Sequence, residues 1–324
     1  MSKPRILVTR QTPGPDFERL SEACDVVMWE QDTVMPREKL LAQVGDVVGL
    51  LCTMFDQVNQ ELLDAAPNLK MVSNYAVGLN NIDLPACTAR GIPVGHTPGV
   101  VTEATADTAF GLMLGISRRI HEAARYVDTG QWKDWSPTLL IGNDLYGKTL
   151  GIVGMGRIGQ AVARRAKGFS MRVLYHNRRQ NPGAEQDLGV EYATLDVLLA
   201  QSDLVVLTVP YSPETHHIMN ASSLAKMKSS AFLINVARGA VVDQGALATA
   251  LAAGTIRGAG LDVTDPEPIL ANDPLLKMDN CLIIPHIATS TWETRADMTR
   301  LAVENLLRGL QGEPLAHCAN PEVA

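Results

Sequence analysis

Apolar residues fall along this chain in short bursts that alternate between two rhythms. RILVT, VVMW, VVGLLCT, LKMVSNYAVG and IPVGH are nearly continuous apolar runs, the pattern of strands buried on both faces of a sheet. Between them, residues 17–23, residues 37–44, NQELLDAAP and DLPACTARG space their apolar positions as helices do. Such alternation with short connections predicts a parallel sheet covered by helices, complete within residues 1–101. From Thr102 a long helix follows, with Ala109, Leu112, Met113, Ile116 and Ile120 at helical spacing, predicted to run unbroken to about Val127. The irregular stretch DTGQWKDWSPTLLIGNDLYGK leads into a second βα series: LGIVGMGRIG, VLYH, DLVVLTVP, NASSLAKMK, AFLINVAR, ALATALAAG, AGLDV and CLIIPH. A last helix over residues 292–310 carries Val303, Leu306, Leu307 and Leu310 on one face, and is predicted to return to the first sheet. The fold class is therefore α/β, with two doubly wound parallel-sheet domains. One is discontinuous, 1–101 with 291–324, and the other is continuous, 102–290. In such folds ligands bind outside the carboxyl ends of the strands, here in a cleft expected between the domains.

Within the second series, LGIVGMGRIG puts Gly154, Gly156 and Gly159 between a strand and a helix. In a dinucleotide-binding βαβ unit the first glycine makes the tight turn. The second lets backbone approach the pyrophosphate, and the third lets helix pack on strand. The amides of Met155, Gly156, Arg157 and Ile158 are then expected to face the phosphates, with the helix dipole behind them. Glycines at this spacing often serve only turns, but strand, turn, helix and second strand in order make a Rossmann unit the better reading. An acid normally follows about 20 residues on, to accept hydrogen bonds from the adenine ribose. Here the position holds Asn177, followed by Arg178 and Arg179.

Composition narrows the class without changing it. With 324 residues, 46% hydrophobic, and a net charge of −7, the chain reads as a globular protein with no affinity for nucleic acid or anionic membrane. The five cysteines are scattered, with no C-x-x-C or Cys/His cluster, which predicts reduced thiols, no metal site and a cytoplasmic location. The N-terminus runs into RILVT without a charged-then-apolar leader, and no apolar run approaches the roughly 18 residues of a membrane span.

Three polar residues stand at successive strand ends or their turns in the second series: Arg238 after AFLINVA, Glu267 in DVTDPEP, and His286 after CLIIP. Singly, each reads more readily as a surface salt bridge, a solvated acid or an exposed ring. Together they match what reducing a 2-keto acid with a nicotinamide requires. A cation holds the carboxylate and polarises the carbonyl, an acid protonates the new alkoxide, and a neighbouring carboxylate keeps that acid charged.

The motifs GIVGMGRIG, INVARGAVVD, AGLDVTDPEP and PHIATST, in this order, resemble the D-isomer-specific 2-hydroxyacid dehydrogenase family over essentially the full length. Within it, GQWKDWSPTLLIGNDLYGKTLGIVG and the basic corner at 177–179 resemble the glyoxylate and hydroxypyruvate reductases. The resemblance implies a flavodoxin-like substrate domain and a Rossmann domain for NADP(H), with NAD(H) as the weaker alternative. It implies that Arg238 binds the carboxylate and carbonyl, that His286 donates the proton, and that Glu267 holds it protonated. It further implies that amides of Val77, Gly78 and Leu79, in NYAVGLNNID, bind the carboxylate; the unaided reading of that loop is a glycine turn. Asp262 is implied to contact the nicotinamide carboxamide, and Pro210, Thr215 and Val236 to line the cofactor cleft; their ordinary reading is loop and core packing. Asn80, where many relatives carry Asp, reads as a solvent-side variation. The tryptophans of WKDWSP predict a homodimer through the Rossmann domain, since two tryptophans in a polar stretch are more often covered than bare. By resemblance Trp135 enters the partner's substrate cleft; the alternative is an anchor beneath the linking helix of its own chain. Against the formate dehydrogenase branch stands Glu267, where that branch has Gln. A short phosphoglycerate or D-lactate dehydrogenase and a nucleotide-sensing corepressor remain as alternatives.

Overall fold

A computed structural model describes residues 3–323. The chain divides into two compact units, Met1–Val101 with Thr289–Ala324, and Thr102–Ala288. Each is built on one wholly parallel sheet, as continuous apolar strands joined by helical crossovers require.

The first unit has five strands, β1 (Arg5–Val8), β2 (Asp25–Met28), β3 (Gly49–Cys52), β4 (Met71–Asn74) and β5 (Val94–Gly95), in the order β2-β1-β3-β4-β5. β3 and β4 are buried along their whole length. The helix Trp292–Gln311 covers one face: its Met298, Ala302, Val303 and Leu306 pack with Ile6, Val8, Leu51 and Met71. Ser73 Oγ, buried in β4, donates to the Ala302 carbonyl at 2.8 Å. Thr291 caps this helix by accepting the Thr294 amide, worth about 1 kcal/mol.

The second unit has β6 (Thr149–Val153), β7 (Arg172–His176), β8 (Glu191–Tyr192), β9 (Leu204–Leu207), β10 (Phe232–Asn235), β11 (Gly258–Leu261) and β12 (Cys281–Ile283). Their order is β12-β11-β10-β9-β6-β7-β8. The order reverses at β6, so the turn after β6 lies at the topological switch point, where such sheets bind ligands.

The helix expected to run from Thr102 to about Val127 is two helices, Thr102–Ser117 and Ile120–Asp128. Arg119 between them has φ 54°, in the left-handed region. The apolar spacing continues across the break, but the Ser117 carbonyl is taken by the Asn143 amide at 2.8 Å, a partner far along the chain that no local pattern announces. Four cysteines are buried and Cys318 is partly so, all of them free. No helix among the described residues is long and apolar enough to cross a membrane.

Candidate active site

The carboxyl ends of β10, β11 and β12 carry the three candidate residues of the second unit. Arg238 leaves β10 through a turn that Asn235 builds. Asn235 is 1% exposed; its Nδ2 donates to the Arg238 carbonyl at 2.9 Å and its Oδ1 accepts the Ala237 amide at 3.0 Å. Burial pulls the Arg238 guanidinium down from its ordinary range, while Glu267 and Asp262 pull it up; the arginine remains a cation at neutral pH. Its Nη1 donates only to the Ala237 carbonyl, at 2.7 Å, which leaves most of a five-donor fork for an anion. The next residue, Gly239, touches the turn that carries Glu267. A Cβ there would lie 1.9 Å from the Thr264 carbonyl oxygen, so the two turns meet through bare backbone. Gln244 Oε1 accepts the Asp265 amide at 3.0 Å and fastens that turn from the other side.

Glu267 and His286, nineteen residues apart, meet directly: His286 Nδ1 stands 2.5 Å from Glu267 Oε1. Both side chains are about four-fifths covered. A carboxylate this close, which only accepts, fixes the ring with hydrogen on Nδ1, leaving Nε2 as the nitrogen directed elsewhere. His286 itself has φ 51°, a conformation that costs a non-glycine residue about 1–2 kcal/mol. Such outliers gather at functional sites.

The glycine turn after β6 has the geometry a dinucleotide needs. Gly154 has φ 108°, Gly156 has nothing within 4 Å of where a Cβ would stand, and a Cβ on Gly159 would lie 2.1 Å from the Gly154 carbonyl oxygen. The helix Arg157–Gly168 begins at Gly156 without a side-chain cap, so its first-turn amides, those of Arg157 and Ile158 among them, are unclaimed among the described residues. The Met155 amide donates to Asn177 Oδ1 at 2.7 Å, and Met155 is 1% exposed, so this one amide of the turn has an acceptor within the chain. Because Oδ1 is committed, Asn177 presents its Nδ2, a donor, to whatever lies beyond β7. Arg178 and Arg179 are exposed, with no ion-pair partner among the described residues. Arg178 contributes to the lowering of the Glu214 carboxyl, after a hydrogen bond from Ser212, so it lies within Coulombic reach of the loop after β9. In that loop Thr215 Oγ1 donates to the exposed Pro210's carbonyl at 2.8 Å, while Val236 is buried at the end of β10. Asp262 is 2% exposed, and both its carboxylate oxygens accept backbone amides, those of Ile287 and Ala288. A carboxamide contact must share an oxygen already engaged.

In the first unit, the loop after β4 has its carbonyls tied and its amides open. The Ala76 carbonyl accepts the Thr97 amide, and the Leu79 carbonyl that of Ile82. Gly78 O accepts Asn74 Nδ2 at 3.0 Å, and His96 Nδ1 lies 3.1 Å from Val77 O. The amides of Val77, Gly78 and Leu79 donate to no acceptor among the described residues, three donors in a row of the kind that binds carboxylates. Asn81 braces the loop by donating to the carbonyls of Thr53 and Asp56, and Asn80 is exposed. Asn74, Asn81 and Asn235 were not singled out by sequence. Their one visible signal is an amide side chain at the end of an apolar run.

Trp132 and Trp135 are 60% and 77% exposed, so neither is an anchor beneath the linking helix of its own chain.

A Rossmann unit with an open glycine turn at the switch point is the architecture of a dinucleotide-binding protein, and Arg238, Glu267 and His286 follow strands of the same sheet. Residues 110–288 match the model of the D-isomer specific 2-hydroxyacid dehydrogenase NAD binding domain, and the chain belongs to the D-isomer-specific 2-hydroxyacid dehydrogenases. It is 46% identical to the glyoxylate reductase of Korarchaeum cryptofilum over 322 residues, 99% of this chain and 97% of that one. A crystal structure of a Thermus thermophilus protein matches with TM-score 0.93 at 46% identity, covering 97% of this chain and 99% of the other. The NADPH-dependent glyoxylate/hydroxypyruvate reductase of Sinorhizobium meliloti, solved with NADP and malonate, matches with TM-score 0.85 at 35% identity, covering 99% and 98%.

Proposed function

We propose that this chain is a cytoplasmic NADPH-preferring reductase of small 2-keto acids, converting glyoxylate to glycolate and hydroxypyruvate to D-glycerate. The observation that carries the reading is the 2.5 Å pairing of His286 with Glu267 near Arg238, in a chain whose relatives are named glyoxylate reductases. The bound cofactor supplies a hydride to the carbonyl carbon. Arg238 holds the substrate's carboxylate and draws charge onto its carbonyl oxygen. His286 delivers a proton from Nε2 to that oxygen, and Glu267 keeps the ring charged until it does. The amides of Val77, Gly78 and Leu79 add donors for the carboxylate. Gly154, Gly156, Gly159 and the amides of Arg157 and Ile158 hold the pyrophosphate; Pro210, Thr215 and Val236 line the cofactor.

NADPH preference rests on the corner after β7. Asn177 offers a donor where an acid would accept from ribose hydroxyls and repel a phosphate, and two arginines without an ion-pair partner among the described residues stand beside it.

Arg238→Ala is expected to raise KM for glyoxylate by about 10- to 100-fold, the worth of one charge-assisted contact, and to lower kcat as well, because the carbonyl loses its polarising cation. Steady-state kinetics checks this; an unchanged KM removes Arg238 from substrate binding.

The assembly proposed is a homodimer through the second unit. Ile120, Val127, Trp132, Trp135, Ile141 and Tyr146 are all more than half exposed on one segment of the chain, apolar side chains that a partner would cover. Trp135 is proposed to reach the partner's substrate. Sedimentation at micromolar concentration is expected to give a dimer, and a monomer there rules this out.

A further inference from the structure

Three consecutive amides in the segment that carries His286 end on a single residue. The His286 amide donates to the Asp262 carbonyl at 2.9 Å and is shared with the Ile284 carbonyl at 3.0 Å; the Ile287 amide donates to Asp262 Oδ1 at 2.7 Å, and the Ala288 amide to Asp262 Oδ2 at 3.2 Å. Asp262 continues β11 and His286 follows β12, its neighbour in the sheet. The backbone bond from His286 extends that pairing, whereas the two that follow need a side chain with two acceptors. They are needed because His286, at φ 51°, breaks the strand's course. After a left-handed residue the next amides cannot continue the ladder, and buried amides without acceptors are costly. A carboxylate presents two oxygens about 2 Å apart, a spacing suited to two successive amides. Burial raises the Asp262 carboxyl above its ordinary range; the His286 ring and the two amides draw it back.

We propose that Asp262 is a positioning residue for His286: its carboxylate moulds the His286–Ala288 turn, and that turn sets the direction in which the imidazole leaves the backbone to reach Glu267. The proposal rests on reading His286 as the proton donor. It assigns Asp262 a task separate from any contact with the nicotinamide carboxamide. When one oxygen is lost, the turn keeps its backbone strain without its compensation and relaxes, and Nδ1 moves off Glu267. The glycine turn and the corner after β7 do not change, so any loss of NADPH affinity reports the carboxamide contact alone.

Asp262→Asn tests the mould, because it sets an NH2 against one of the amides while conserving shape, and the two tasks are told apart by their readouts. The readouts are kcat with glyoxylate, the dissociation constant of NADPH by fluorescence titration, and the solvent deuterium isotope effect on kcat. The expected result is a kcat lower by about 10- to 100-fold, part of what a general acid supplies, a larger fold-change than any loss of NADPH affinity. The isotope effect should rise, because a misdirected ring makes proton transfer slower relative to the other steps. NADPH affinity falling in step with kcat, a kcat within about threefold of the parent, or an unchanged isotope effect overturns the proposal. Asp262→Ser, with one acceptor retained, is the second variant. Hydrogen exchange of the unmodified protein needs neither variant nor activity. Amides of Ile287 and Ala288 should exchange as slowly as those of the adjoining strands, and exchange as fast as unbonded loop amides refutes the mould. If the parent does not reduce glyoxylate at all, the proposed function fails while the exchange result still decides the turn.

Discussion

His286→Ala should lower kcat for keto-acid reduction by about 10²- to 10⁴-fold, the usual contribution of a positioned general acid, with NADPH binding nearly unchanged. The expectation follows from the ring's placement. Nδ1 is held on Glu267 at 2.5 Å, and Nε2 is the position from which a proton can leave. Alanine also inherits the left-handed backbone at φ 51°, so strain adds to its loss. His286→Asn distinguishes the two, because asparagine tolerates that region well and cannot act as an acid. Both variants should be similarly slow. If His286→Asn retains near-parental turnover, His286 is not the proton donor.

Replacing Arg178 and Arg179 together by alanine should weaken NADPH by at least about 10- to 100-fold, since each charge-assisted bond to a dianion is worth about 1.5–3 kcal/mol. NADH, which has nothing for those arginines to hold, should change little. Adding Asn177→Asp should reverse the preference. One Asp oxygen can still take the Met155 amide that Asn177 Oδ1 now accepts, while the other becomes an acceptor for a ribose hydroxyl and repels a phosphate. Titration of each variant with both cofactors measures this. Equal losses for NADPH and NADH would mean that the arginines are solvated surface charges and not a socket.

Most of both sheets was legible in the chain because their inner strands are apolar runs fully enclosed by their crossovers, as β3, β4, β9 and β10 are. The glycine turn was legible because its geometry needs glycine at fixed spacing. What escaped depends on partners far apart in the chain. The helix break at Arg119 carries no glycine or proline, and the carbonyl it frees is capped from Asn143. The edge strand β8 has only two residues, too short for any period. The acceptor of the Met155 amide is Asn177, twenty-two residues on. The open amides of Val77, Gly78 and Leu79 are invisible until Asn74 and His96 are seen tying the neighbouring carbonyls. Glu267 and His286 could be named as candidates from their strand ends, but their meeting is a property of adjacent parallel strands, and the clamp of Asp262 on the turn after His286 is another.

The most direct test is the initial rate at which the purified protein oxidises NADPH, and separately NADH, on addition of glyoxylate or hydroxypyruvate. The account predicts saturable oxidation with both keto acids, kcat/KM within the ordinary enzymatic range of about 10⁴–10⁸ M⁻¹s⁻¹ for the better one, and a higher efficiency with NADPH than with NADH. Cofactor binding without oxidation above the blank for either keto acid would contradict it.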